Sequence, residues 1–301
     1  MSEPLAFRGV GLRAHLAAVG AIAHKLFSER LTAAGRLAAK LRELTGFQHP
    51  LMLAALIAAS LHDVGKTSPY YQEDRRAESF PGHEIVGAVI LLRACRQLDV
   101  GGKDGLAIIL RLVAWAIARH HASMRNRHPQ ALLGTRIRWR GQHSSSLLGE
   151  AVKALKRLRG EDRDQLVLKS LPQPLQKAFD GVLVDVIAYA VRELANSNNV
   201  QKLVWKGVRE LTALSGRLER LERVWNAYVS TITGVVTVAD ILTASVENRE
   251  TDDGMAGYAR WWTRELGADI NSLKKLARNT NFAEETLEEA LRISCSIRVL
   301  H

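Results

Sequence analysis

Apolar residues recur every three or four positions along nearly the whole chain, and no segment alternates clearly between apolar and polar residues. The first pattern is typical of amphipathic α-helices, whereas alternation would indicate half-buried strands. Gly, Pro and polar clusters interrupt the pattern at 46–50, 101–102 and 172–174. We therefore predict an all-α protein with helices at 10–27, 29–45, 50–63, 82–99, 104–121, 146–159, 173–196, 199–229, 231–248, 254–266, 269–278 and 282–299.

The composition fits a close-packed helical protein. Apolar residues make up 47% of the 301 positions, and the most frequent of them, Ala and Leu, are strong helix formers. No internal repeat or low-complexity linker divides the chain. We predict a single domain over 1–301, with a core at 10–125 and 225–300 and a basic helical elaboration at 122–230.

Nothing in the sequence indicates export or insertion into a membrane. The first residues lack a charged region followed by an apolar run, and no stretch reaches the ~18 uncharged apolar residues of a span. Cys95 and Cys295 are too far apart in sequence for a metal motif and do not form a disulfide framework. We expect a cytoplasmic protein that does not associate with a membrane.

Positive charge is concentrated after His121. The chain carries a net charge of +11, which favours polyanionic partners such as nucleic acid. Between 122 and 159 the only acid is Glu150, and Trp139 lies between two arginines, where a base could stack on it. We predict nucleic-acid contact here; the alternative is a solvated loop and an exposed helix face. The predicted contact residues are Arg125, Arg127, Arg136, Arg138 and Arg140, followed in sequence by Lys153, Lys156, Arg157 and Arg159.

The strongest chemical signal is the pair His62-Asp63 at the end of an apolar helix. Neighbouring residues of a helix point about 100° apart, so a cation at the flank of the helix end can contact both side chains. The two oxygens of Asp63 could also bridge two cations. The alternative is that the two residues only cap the helix before Gly65.

Three further histidines lie at predicted helix ends. His83 opens one helix, and His120-His121 close another. Neutral imidazole is a good ligand for transition metals. Taken singly, each of these histidines is more often a polar cap, but together with His62-Asp63 they favour a metal site.

His15 and Asp240 complete the candidate ligands. His15 shares the core-facing side of the first helix, whereas His24, nine residues later, lies about 180° away. Asp240 is the one carboxylate in the apolar run 234–242, and burying a carboxylate is costly unless it is paired or metal-bound. Asp185 lies in a similar run and competes with Asp240 for this role.

The order His, His-Asp, His, His-His, Asp resembles that of the HD-domain metal-dependent phosphohydrolases. Within that superfamily the chain is most similar to the stand-alone HD nuclease subunit of type I CRISPR interference. The stretch LHDVGKTSPYYQ at 61–72 and the double histidine carry the likeness, which covers roughly 10–125 and 225–248. It departs at Ala244, where the family usually has Ser four residues after the last Asp.

The resemblance implies an HD-domain helical bundle that holds two divalent cations. Asp63 would bridge the cations, and Lys66 would help hold the phosphate beside the catalytic pair His62 and Asp63. One cation would be held by His15, His62, Asp63 and Asp240, and the other by Asp63, His83, His120 and His121. A histidine-rich set favours Mn, our first choice, or Ni, Co, Fe or Zn over Mg, which prefers oxygen ligands.

The implied function is metal-dependent cleavage of single-stranded DNA, or of RNA, in CRISPR antiviral interference. The chain has no helicase motif, so a separate helicase subunit and an effector complex would have to open the target. Two alternatives stay open. One is an HD phosphohydrolase that acts on nucleotides or cyclic nucleotides, and the other is an HD-fold subunit that binds a partner and has lost catalysis.

Replacing Arg136, Arg138 and Arg140 with Gln should weaken binding of single-stranded DNA. Each lost phosphate contact should also flatten the plot of log affinity against log salt by about 0.7, because fewer counterions are released. Fluorescence anisotropy at several salt concentrations measures both effects. An unchanged slope would assign the segment to the solvated surface.

Overall fold

The computed structural model confirms the predicted all-α class, with 83% helix and 3% strand among the residues that it describes. Those residues are 3–7, 9–73, 80–121, 136–137, 145–158, 163–216, 222–247, 261 and 263–296.

The helices are numbered in chain order. In the first half they are α1 (Leu12–Thr32), α2 (Gly35–Thr45), α3 (Pro50–Leu61), α4 (Pro69–Gln72), α5 (His83–Val100) and α6 (Asp104–Arg119), with a 3₁₀ turn at Val64–Thr67. In the second half they are α7 (Leu147–Arg157), α8 (Arg163–Lys169), α9 (Gln173–Lys177), α10 (Val182–Asn196), α11 (Val200–Gly216), α12 (Glu222–Glu247), α13 (Ile270–Arg278) and α14 (Thr280–Ser294).

Helix α3 is the centre of the core. All of its residues are buried, which is the expected behaviour of a helix that is apolar on every side. It begins at Pro50, whose fixed φ suits the first helical position. Helices α1, α6, α12 and α14 pack around it, and α5 packs along α6. The end of α3 is therefore surrounded by other helices, and the His62-Asp63 pair follows directly on it.

Several predicted helix boundaries were wrong. The break expected at position 28 lies inside α1, which continues to Thr32. The segment predicted as one helix at 173–196 is broken by a 3₁₀ turn at Ala178–Gly181, where Phe179 and Asp180 have φ of 58° and 54°. The Phe179 ring packs against Phe47, and this tertiary contact is outside the reach of local periodicity. Conversely, α12 runs without a break through position 230, because its apolar face stays buried on both sides of that point.

One described helix segment, Val224–Glu247, is long and apolar enough to cross a membrane. Just over half of its most apolar window, 56%, is buried within the protein. A core helix passes the same test of length and hydropathy, and this one packs against α1, α3 and α6.

Two short hairpins accompany the helices, and neither was predicted. Strands β1 (Leu5–Phe7) and β2 (Val10–Gly11) pair antiparallel just before α1. Strands β3 (Arg136–Ile137) and β4 (Ser145–Ser146) pair just before α7. Within the predicted elaboration, α7 packs against α4 and α5, so it lies beside the loop that follows His62-Asp63.

Gly65 offers a test of how tightly that loop is packed. A Cβ atom at this position would lie 2.0 Å from the backbone oxygen of His83. Gly65→Ala should therefore lower the free energy of unfolding by about 1–3 kcal/mol, the usual cost of overpacking. Gly234→Ala is the matched control, because it meets nothing within 4 Å on a helix and should stabilise by about 0.5–1 kcal/mol. Urea denaturation measures both, and equal effects would contradict the close approach.

Candidate metal centre

The structure brings all seven predicted ligand residues together. They form two groups, and within each group the ligand atoms all lie within 4.8 Å of one another. We call them the His15 group and the Asp63 group. The His15 group contains His15, His62 and Asp240, and the Asp63 group contains Asp63, His83, His120 and His121.

Helix ends position most of these side chains. His62 and Asp63 follow the last residue of α3, His83 is the first residue of α5, and His120-His121 follow the last residue of α6. His15 and Asp240 instead lie within helices, on α1 and α12. The centre therefore forms where two helix C-termini and one N-terminus meet the sides of two longer helices.

In the His15 group, Asp240 faces both histidines. Its Oδ1 lies 3.2 Å from His15 Nε2 and 3.5 Å from His62 Nε2. The two imidazole rings meet edge to face, with centroids 5.4 Å apart. His15 and His62 are essentially inaccessible to solvent, whereas the Asp240 side chain is 20% exposed. The group therefore opens toward solvent on the side of Asp240.

The Asp63 group is built around one carboxylate oxygen. Asp63 Oδ1 lies 2.9 Å from His83 Nε2 and 4.0 Å from His120 Nε2. His121 completes the group with its Nε2 3.2 Å from that of His83, and it is the exposed member. Like its neighbour, this group is buried except at one ligand.

Asp63 lies between the two groups and has one oxygen toward each. While Oδ1 faces His83 and His120, Oδ2 lies 3.5 Å from His62 Nε2 and 3.7 Å from His15 Nε2. This is the orientation that a bridging carboxylate requires. The ligand sets expected from the resemblance, in which Asp63 belongs to both, stay a prediction.

Three of the histidine rings contact a backbone oxygen through Nδ1, the nitrogen that faces away from the centre. Nδ1 of His62 lies 2.8 Å from the backbone oxygen of Ala59, and Nδ1 of His120 lies 2.6 Å from that of Ile117. His83 makes the same contact with the backbone oxygen of Phe80. An imidazole that donates from Nδ1 presents a lone pair on Nε2, the tautomer that binds a metal. Each Nε2 atom therefore faces the centre.

Sequence reasoning missed Glu247, the last residue of α12. Its Oε2 lies 3.0 Å from Nδ1 of His15, and its side chain is 5% exposed. The signal was its position seven residues after Asp240, because two helical turns return to the same face. Reasoning from the sequence also missed Thr237, whose hydroxyl donates to the backbone oxygen of His120 at 3.0 Å.

The electrostatics keep several ligands in the forms that bind metals. Burial, together with the neighbouring His121, His62 and His83, holds the pKa of His120 well below its usual value. Burial and His83 lower the pKa of His121 to about 4. Burial opposes ionisation of Asp63, but Lys66 and the histidines around it hold its pKa well below the usual range.

His15 differs from the other histidines. Burial disfavours its charged form, but the carboxylates of Asp240 and Glu247, which accept hydrogen bonds from the ring, outweigh burial and raise its pKa to about 10. Asp240 is likewise held ionised, since His62 and His15 outweigh burial and lower its pKa well below the usual value. Without metal, a proton therefore occupies the position on His15 that a cation would take.

Lys66 contacts the centre through a hydrogen bond to Asp63. Its Nζ donates to Asp63 Oδ2 at 2.5 Å and to the backbone oxygen of Ala6 at 3.1 Å. The side chain is 12% exposed. The ammonium group of Lys66 compensates the negative charge of the Asp63 carboxylate. The contact between Lys66 and a phosphate, expected from the sequence, stays a prediction.

The remaining sequence candidates lie elsewhere. Asp185 is exposed on α10, so it does not compete with Asp240, and His24 lies on the other face of α1, near Glu289. Arg125, Arg127, Arg138 and Arg140 lie outside the described residues, and of Arg136 only the backbone in β3 is described.

The donor set fits divalent transition metals. Five imidazoles and two carboxylates converge; imidazole suits Fe, Ni and Zn, and the carboxylates also suit Mn. His62 Nε2 is buried and, among the described residues, has no hydrogen-bond partner, since both facing carboxylate oxygens are 3.5 Å away. A buried polar atom without a hydrogen-bond partner lowers the stability of the fold unless a ligand binds it.

Comparison with known families gives an independent result. The family model described as HD domain matches residues 13–168, just over half of the chain. The matched segment includes six of the seven candidate ligands and ends before Asp240. A search of curated proteins returned no match.

Metal affinity should rise with pH, because a cation has to displace the proton on His15. With its pKa at about 10, His15 stays protonated across neutral pH, so affinity should increase up to about tenfold per pH unit between pH 6.5 and 8. Calorimetric titration with Mn²⁺ in buffers of different ionisation enthalpy counts the protons released. His15→Gln should not release the proton that the cation displaces from His15. Equal proton release from the native protein and His15→Gln would contradict the assignment of His15 as a protonated ligand.

Proposed function

Since the chain belongs to the HD-domain family, whose members are generally metal-dependent phosphohydrolases, we propose that it is a nuclease. Its substrate is single-stranded DNA, and the bond hydrolysed is the phosphodiester. It acts in CRISPR interference, with a separate helicase subunit and an effector complex. The observation that carries the proposal is the pair of ligand groups with Asp63 between them.

Two divalent cations fit this arrangement, one in each group. Bound there, they would supply activation of water and stabilisation of the attacking and leaving oxygens of a phosphodiester. The chain's own residues hold this machinery in place. The backbone contacts at His62, His83 and His120 fix the orientation of the rings, and Asp63 links the two groups by facing both of them.

Substrate reaches the centre from one side. His15, His62, Asp63 and His120 are each no more than 1% exposed, so they contribute almost nothing to the protein surface. Asp240 and the exposed His121 mark the open side. A phosphate group that enters there meets the ligands of both groups at once.

Lys66 supplies positive charge at the same place. Because its Nζ already lies on Asp63 Oδ2, a short movement of a flexible side chain is enough to transfer its hydrogen bonds to a phosphate oxygen. The Phe80 ring lies 5.1 Å from Nζ and limits where the amine can go. We assign Lys66 to binding and orientation of the phosphate.

The charge distribution supports a polymeric substrate. The basic segment follows directly on His121 in the sequence, and its positive charge favours a polyanion. On α7, Lys153 and Arg157 have side chains 50% and 63% exposed, although each also contacts an acidic residue. RNA carries the same phosphate charge and is the second polymer to test.

The main alternative is hydrolysis of nucleotides or cyclic nucleotides. Family membership fits this function equally well, and the depth of the ligand cluster suits a small phosphoester. The basic segment favours the polymer. A partner-binding subunit without catalysis is disfavoured, because every expected ligand type is present and converges.

Asp63→Ala should abolish Mn²⁺-dependent cleavage of single-stranded DNA while the helical circular-dichroism spectrum is retained. The loss should exceed about 100-fold, because even outer partners of metal ligands cost ~10–100-fold. Asp185→Ala is the matched control, since that carboxylate is exposed on α10. The assay compares single-stranded DNA, double-stranded DNA, single-stranded RNA and small nucleotides, with Mn²⁺, Mg²⁺, Ni²⁺ or EDTA.

The outcomes separate the candidate functions. Cleavage of single strands that Asp63→Ala loses and Asp185→Ala keeps supports the nuclease. Turnover of small nucleotides alone would replace it with the nucleotide phosphohydrolase. Undiminished cleavage by Asp63→Ala would overturn the assignment of the centre, and the absence of both metal and activity in the native chain would favour a non-catalytic subunit.

A further inference from the structure

Nδ1 of His15, the ring nitrogen that faces away from the centre, has a different kind of partner from Nδ1 of the other buried histidines. His62, His83 and His120 each contact a backbone oxygen three residues earlier in the chain. Those contacts form locally, within one helix end or turn. His15 has a carboxylate as its Nδ1 partner instead, Oε2 of Glu247 at 3.0 Å, from a residue 232 positions away.

We propose that Glu247 is a positioning residue for the His15 group: it fixes the His15 ring and thereby sets how tightly that group binds its cation. The inference rests on the proposed function only in taking the two groups as metal sites. It holds for any phosphoester substrate.

Two carboxylates of α12 contact the His15 ring. Glu247 follows Asp240 by seven residues on α12, so both carboxylates project from the same helical face. Asp240 contacts Nε2 of His15 at 3.2 Å while Glu247 contacts Nδ1 at 3.0 Å. One helix therefore contacts both nitrogens of the same ring. The Glu247 side chain is 5% exposed, so water competes little for the contact.

A carboxylate partner also changes the ligand itself. A hydrogen bond from imidazole to a charged carboxylate is stronger than one to a neutral backbone oxygen. It orients the ring and makes Nε2 a more basic ligand, and loss of such a partner typically weakens metal binding by ~10–100-fold. The effect should be confined to the His15 group, because Glu247 makes no described contact with the Asp63 group.

The test measures Mn²⁺ binding rather than turnover. Native protein, Glu247→Gln and Glu247→Ala are titrated with Mn²⁺ by calorimetry, and electron paramagnetic resonance reports spin coupling between adjacent ions. We expect two ions and a coupled signal in the native protein. Glu247→Ala should bind one of the ions ~10–100-fold more weakly and lose the coupled signal at subsaturating Mn²⁺. Glu247→Gln, which is isosteric and keeps an acceptor for Nδ1–H, should lie between them.

Glu284→Gln is the matched control. Glu284 is buried on α14 and bonds Arg13, two residues before His15 on α1, at 2.9 and 2.8 Å. Its loss should lower the melting temperature and leave Mn²⁺ binding unchanged, because Glu284 contacts none of the ligands. Equal loss of Mn²⁺ in this control would mean that the position of α1, and not Glu247, sets the affinity.

Failure of this inference is distinguishable from failure of the proposed function. Native protein that binds no Mn²⁺ would overturn both. Two ions bound with unchanged affinity in Glu247→Ala would overturn only the role of Glu247. Two ions in the native protein with no cleavage of single-stranded DNA would overturn only the nuclease.

Discussion

A buried carboxylate surrounded by imidazoles is the constraint on which the rest of this structure depends. Asp63 is 1% exposed and held ionised, and a charge in that position is tolerated only when partners compensate for it on every side. Lys66 and the histidines provide that compensation from α1, α3, α5 and α6. The helices have to meet at this point for the charge to be stable, so the bundle and the centre specify each other.

The local backbone does much of the positioning. At three histidines the chain supplies its own acceptor three residues earlier, so the tautomer and direction of the ring follow from how the helix ends or begins. Gly65 serves the same purpose, because only a residue without Cβ lets the loop after Asp63 approach the backbone of His83. The resulting centre is accessible to solvent at Asp240 and His121.

Family membership and geometry carry different parts of the argument. The HD-domain match covers the segment with His15 through His121 and accounts for a hydrolase that binds metals. Asp240 and Glu247 lie beyond the matched segment and join the centre only through the packing of α12 on α1 and α3. The proposal of single-stranded DNA as substrate rests on charge and on resemblance.

The sequence by itself determined the helical class and pointed to five candidate ligands at helix ends, because apolar periodicity and the position of a residue at a helix end are local properties. It also selected His15 over His24, since opposite faces of one helix follow from 3.6 residues per turn. The burial argument alone left Asp185 as a competitor of Asp240, and the resemblance selected Asp240. The packing of α12 then placed Asp240 in the centre, whereas Asp185 is exposed. Glu247 and the turn at Phe179 were decided by tertiary structure alone, because each depends on contacts between residues far apart in the sequence.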